Sequence, residues 1–133
     1  MTIWNLTPHN VDFHTSENFV NLEETRPGVF VADSVCGEPI LTLESSGVAR
    51  IGMSSVNKAP EHSIPVEQTV YGAPEGIPDA VKSGDTIIVS LPFASMAKGL
   101  FPTLKVRYPA GVVRSRANGS VVLGAMKLGT TSD

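Results

Sequence analysis

The segment "GVVRSRANGSVVLGAMKL" (residues 111–128) holds two apolar, alternating runs on either side of an Asn118-Gly119 pair. Asn-Gly between such runs is a strong short-range hairpin signal, because both residues tolerate the positive φ that a tight two-strand turn needs. The segment therefore predicts a terminal β-hairpin. Arg114 and Arg116 stand two residues apart on its first strand, so a period-two reading puts both guanidinium groups on one face. Two like charges side by side call for something anionic or aromatic opposite them.

The preceding stretch supplies the other decisive signal. "GDTIIVS" (84–90) is an apolar, β-branched run of the kind that forms a buried central strand. "LPFASMAKGLF" (91–101) follows with helical spacing, Ser90 as N-cap, Pro92 in the first turn where its missing N–H costs nothing, and Gly99 as a stop. Free N–H groups at such a helix start favour an anion.

Ten prolines and twelve glycines cut the rest into short pieces, which argues for strands. "TIWNL" (2–6), "VDFHT" (11–15), "VFVAD" (29–33), "PILTLE" (39–44), "SSGVARIGMSSV" (45–56) and "IPVEQTVYG" (64–72) read as strands, the last as an edge strand because of Pro65. "SENFVNLEETRPG" (16–28), "SVCGE" (34–38), "KAPEHS" (58–63) and "APEGIPDAVKSGD" (73–85) read as turns and loops, and residues 128–133 as a frayed tail. The expectation is one α+β domain over residues 1–133, with mostly short antiparallel strands, about seven or eight of them, and one short helix.

No run of about 18 apolar residues predicts a membrane span, and the N-terminus lacks the basic start and apolar centre of a signal peptide. A cytoplasmic protein is expected. The single Cys36 has acidic neighbours and reads as a packing or loop residue. His9, His14 and His62 have no partner at metal-ligand spacing, so no metal and no cofactor is expected.

Charge is distributed unevenly. Residues 1–85 hold twelve acids and four bases, whereas residues 86–132 hold no acid and six bases: Lys98, Lys105, Arg107, Arg114, Arg116 and Lys127. Two readings fit. The basic part pairs with the acidic part, or it builds a recessed site for a compact anion. A net charge of −3 argues against long nucleic acid, which needs a broad basic surface. Arg114, Arg116 and Arg107 could hold phosphate. Phe93 and Tyr71 are candidates for stacking on a base, with core packing as the alternative for Phe93. Arg50, inside an apolar strand, either faces water or serves a site. The sequence holds no phosphate-binding glycine loop, nucleophile elbow or zinc motif, and the basic stretch carries no metal-holding acid, so binding without turnover is expected.

The ordered set "NLTPHNV", "SSGVARI", "IPVEQTVYGAPEGIP", "GDTIIVS" and "VVRSRANGSVVLGAMKL" resembles a family of small phage and bacterial proteins, the first type of Thoeris anti-defence protein. The resemblance implies a homodimer or higher homo-oligomer that sequesters a cyclic ADP-ribose-type immune signal uncleaved inside the infected bacterium, with cyclic oligonucleotides as a further ligand class. By the same resemblance, Arg114 matches the hairpin arginine that meets the signal's phosphates. Arg50 matches the arginine of the A-R element, Tyr71 the aromatic of the Y-G loop, and Ser90 the end of the I-V-S strand. The chain departs from the pattern at Ser115, where the family often has Asp, and in "LFPTLKVRYPAG" (100–111), which has no acid. Two other functions compete: a phage structural or assembly protein with no small ligand, and a small nucleotide phosphodiesterase.

Overall fold

A computed structural model describes residues 2–131. In chain order the strands are β1 (Ile3–Asn5), β2 (Val11–Phe13), β3 (Phe19–Val20), β4 (Glu23–Arg26), β5 (Val29–Ala32), β6 (Ser34–Val35), β7 (Leu41–Leu43), β8 (Arg50–Glu61), β9 (Ile64–Glu75), β10 (Thr86–Ile88), β11 (Lys105–Ser115) and β12 (Val122–Gly129). One α-helix, α1 (Leu91–Met96), lies between β10 and β11. The architecture is mostly strand with a single short helix, as the sequence predicts.

The predicted terminal hairpin is β11–β12, antiparallel from Tyr108↔Gly129 to Arg114↔Val122, with a register shift between Val113 and Arg114. It is the spine of an eight-stranded sheet in the order β1-β10-β11-β12-β2-β7, with β5 also on β11 and β4 on β5. The sheet is more mixed than the sequence suggests: β1/β10, β10/β11, β11/β5 and β12/β2 pair parallel. For β10 and β11 the reason is α1, which carries the chain back to the end where β10 began, so the next strand runs alongside it in the same direction.

The run "TIIV" is central as expected: Ile87, Ile88 and Val89 are fully buried. Ile87 and Val89 form one core layer with Leu6, Ala49, Phe93, Ala94 and Ala97. Ser90 caps α1, its hydroxyl accepting from Phe93 N at 3.4 Å. A second core, of Phe19, Ala32 and Val113, lies under the β3–β6 segment. There the reading of residues 16–28 as turn fails: Phe19 is buried, and Glu23–Arg26 form β4 against β5. The tail is held further than expected, since β12 runs to Gly129 and Thr131 Oγ1 donates to Ala94 O. Residues 132 and 133 lie outside the described ones.

The largest departure is in residues 50–75. The "KAPEHS" turn is not a loop; β8 runs through Glu61 and reverses at His62 and Ser63, both at positive φ, directly into β9. The result is a two-stranded ribbon of twelve residues per strand that pairs with no other strand among the described residues. At its root Gly76 has φ +86°, and a Cβ there would lie 2.0 Å from Val48 O. Replacement by alanine is therefore opposed by both conformation and contact.

Asp85 ties the N-terminus to this frame. Its carboxylate accepts from Thr2 N (2.9 Å), Trp4 Nε1 (3.1 Å) and Lys82 N (3.0 Å). The Lys82 and Thr2 N–H groups, then the Trp4 indole, hold its pKa down to about 2. A depressed carboxylate pKa contributes stability above the unfolded value near 4 and loses it as pH falls through the folded value. Stability of the wild type should therefore decline between about pH 4 and pH 2, and Asp85→Asn should be less stable at neutral pH with that part of the acid dependence removed. Urea unfolding across the acid range checks this. In the same assay Gly76→Ala should cost more than about 1 kcal/mol, while Gly52→Ala, whose Cβ meets nothing within 4 Å, should stay within about 0.5 kcal/mol.

Candidate functional site

A cleft of about 610 Å³ opens between β11, β12 and the segment around β2. Pro109, Val112 and Arg114 of β11 form one wall, Val122 to Ala125 of β12 the floor, and Thr7 with His9 to Asp12 the opposite wall; Ser90 and Ser120 stand at its edges. At Gly124 a Cβ would come within 3.0 Å of His14 Cδ2 and 3.1 Å of Asp12 O, so glycine lets β12 lie this close to β2.

The "NLTPHN" motif builds the opposite wall. Asn5 is 1% exposed, and its side chain knots the turn: Nδ2 donates to His9 O (2.9 Å) and Leu43 O (2.8 Å), while Oδ1 accepts from Thr7 N (3.0 Å) and Thr7 Oγ1 (2.6 Å). This is an Asx turn, with the side chain standing in for backbone. Its consequence is to present His9 and Asn10 to the cleft. His14 is buried and structural, bonded to Asn18 Nδ2 at 3.0 Å and edge-on to Phe19.

Arg114 is exposed and faces this cleft. Its one hydrogen bond runs from Nη1 to Gly119 O at 3.2 Å, and no carboxylate lies within ion-pair distance among the described residues. Of the residues singled out from sequence, Arg114 and Ser90 share the cleft. The others do not. Arg116 leaves the face of Arg114, because β11 ends at Ser115 and the period of two does not carry on to Arg116. Its guanidinium pairs with Asp33 and with Glu23 (3.2 Å) and donates to Asn21 O at 2.9 Å. Asn21 and Arg116 hold the Asp33 carboxyl below its ordinary pKa. For Arg116, pairing with the acidic half of the chain is the correct reading.

Arg107 is used elsewhere as well, its Nη1 donating to Val106 O (2.9 Å) and Thr130 Oγ1 (3.2 Å) beside a second cleft. Phe93 is 3% exposed and stacks on Phe101 at 6.4 Å, so it packs the core and offers no face to a base. Ser115 Oγ accepts from Asn118 N at 3.3 Å and serves the hairpin turn. Arg50 opens the ribbon opposite Glu75, and Tyr71 lies along it opposite Met53, 52% exposed. Neither lines the cleft.

Sequence reasoning missed His9, Asn10, Asp12 and Ser120 as cleft residues. For His9 and Asn10 the signal was present in Asn5-x-Thr7, an Asx-turn pattern before a proline. Asp12 is paired by Thr42 Oγ1 at 2.8 Å. The described residues contain no cluster of His, Cys, Asp or Glu that could hold a metal ion. No helix among them is long and apolar enough to cross a membrane.

No family model, curated protein or solved structure matches the chain.

The two hairpin arginines should separate in a stability assay. Arg114→Ala, which breaks one exposed hydrogen bond, should leave the urea midpoint within about 0.5 kcal/mol of wild type. Arg116→Ala strands Asp33 and Glu23 and should lower the midpoint, by an amount that shrinks at high salt.

Proposed function

We propose that the Arg114 cleft binds a compact, phosphate-bearing nucleotide and holds it uncleaved, in the manner of a protein that sequesters a cyclic ADP-ribose-type immune signal. The observation that carries this reading is an arginine with no carboxylate partner among the described residues on the wall of a cleft of about 610 Å³. Ligand pockets for small molecules fall in the range of roughly 300–1,000 Å³ and combine apolar walls with a few placed polar groups. Here Val112, Val122 and Leu123 supply apolar surface, and Thr7, His9, Asn10, Ser90 and Ser120 supply the polar groups. A guanidinium can grip phosphate through two parallel N–H donors. The order of motifs from "NLTPHNV" to the terminal hairpin points the nucleotide toward the cyclic class, and the inhibition of an anti-phage defence follows if that signal is withdrawn from its receptor.

A second reading rests on His9 and Asp12, which share the cleft with Arg114. A histidine and a carboxylate beside a phosphate-gripping arginine are the parts a phosphodiesterase would use. One experiment separates the two. The protein is incubated with isomers of cyclic ADP-ribose, its thermal midpoint is measured, and the ligand is recovered after denaturation. Sequestration predicts a raised midpoint, about 2.7 kcal/mol of stabilisation at a hundredfold excess over Kd, and intact ligand on recovery. A hydrolysed product would establish the enzyme instead. Arg114→Ala should weaken binding about 100-fold or more, as expected for loss of two charge-assisted hydrogen bonds.

A further inference from the structure

A second cleft, of about 320 Å³, lies beside α1 and the start of β11 and shares no residue with the Arg114 cleft. Three cations line it: Lys98, Lys105 and Arg107. Lys105 and Arg107 stand two apart on β11, so the strand's period of two puts both on one face. None of the three has a carboxylate within ion-pair distance among the described residues. Like charges that converge in a partly apolar recess repel one another with little screening. An anion in the recess relieves that repulsion.

Arg107 is the fixed member of the set. It is half-buried, whereas Lys98 and Lys105 are exposed. Nη1 is used within the chain, donating to Val106 O (2.9 Å) and Thr130 Oγ1 (3.2 Å). Nε and Nη2 make no hydrogen bond among the described residues. Those two nitrogens form the side-on edge of a guanidinium, whose parallel N–H groups match two oxygens of one anion. The brace at Nη1 restricts the side chain before a ligand arrives, so less entropy is lost on gripping one.

The rest of the lining selects the anion. Ala94, Ala97, Phe101, Leu104 and Val106 give it apolar surface, and Phe101 is itself stacked on the core ring of Phe93. The hydroxyl of Thr131 is already donated to Ala94 O at 3.3 Å. No carboxamide, imidazole or carboxylate lines the cleft among the described residues, so nothing there reads the edge of a base. Its volume is also about half that of the Arg114 cleft. A nucleotide is therefore a poor match. Three positive charges favour a dianion over a monoanion, and the apolar wall favours a compact hydrocarbon body.

We propose that this cleft is a second ligand site and takes a phosphate monoester with a small apolar body, its phosphate gripped side-on by Arg107 between Lys98 and Lys105. The site stands or falls separately from the nucleotide reading of the Arg114 cleft.

Phenyl phosphate is the probe, titrated into the full chain at low salt and followed by amide chemical shifts. Saturable shifts are expected within residues 94–107 and at 131, with none at 7–12. Benzoate, with the same ring and a single negative charge, should bind about tenfold more weakly or worse. Inorganic phosphate, which lacks the ring, should also bind more weakly than phenyl phosphate. Arg107→Lys keeps the charge but loses the paired donors, and should raise Kd about tenfold. Lys105→Gln should raise it several-fold, while Arg114→Ala should leave it unchanged. Circular dichroism verifies that each variant keeps its fold. No saturable shift at millimolar phenyl phosphate, benzoate bound as tightly, or a Kd indifferent to Arg107→Lys would overturn the proposal. Shifts confined to residues 7–12 would overturn it too, while supporting the Arg114 cleft as the phosphate site.

Discussion

The three-way pairing of β11, which ends at Ser115, is the constraint on which the candidate site depends. β11 pairs with β10 at its start, with β12 along its length and with β5 at its end. Such a strand cannot slip, because any shift would break three ladders together and turn the buried Val113 out of its core. The register of β11 and its end at Ser115 are thus fixed in place. They leave Arg114 over the cleft and deliver Arg116 to the other side, where Asp33 and Glu23 receive it. The strand's end divides two arginines that the sequence places side by side: Arg116 is held by carboxylates, and Arg114 has no carboxylate partner among the described residues.

The same division runs through the charge pattern. The acid-free stretch meets the acidic part of the chain through ion pairs at a single residue, Arg116, among the described residues. Of its other five cations, Arg114 lines one cleft and Lys98, Lys105 and Arg107 another, while Lys127 lies on β12 outside both. Intramolecular pairing therefore accounts for one of the six bases.

Much of the fold was legible because local signals agreed with the tertiary outcome. The terminal hairpin, the buried Ile87-Ile88-Val89 run and the Ser90 cap each follow from chemistry within a few residues, although the hairpin reverses over residues 116–121 with neither Asn118 nor Gly119 at positive φ, not in a tight two-residue turn. What was not legible depended on distant partners. Phe19 in a polar segment becomes core because Ala32 and Val113 cover it. "KAPEHS" reads as a loop because Pro60 and two non-glycine residues at positive φ obscure a strand that continues to Glu61. At the site, Arg114 could be named in advance, whereas Arg50 and Tyr71 lie on a ribbon whose length no local pattern announces, and Phe93 is claimed by the core. The Asx turn at Asn5 was readable in principle, and with it the presentation of His9 and Asn10.

The central claim is that the Arg114 cleft is where a nucleotide binds. Amide chemical-shift mapping during titration with a cyclic ADP-ribose isomer tests it most directly. The account predicts saturable shifts concentrated at residues 7–12, 90, 109–114 and 120–125, the walls and floor of that cleft. Shifts confined to other surfaces, or a spectrum unchanged at millimolar ligand for every isomer, would contradict it.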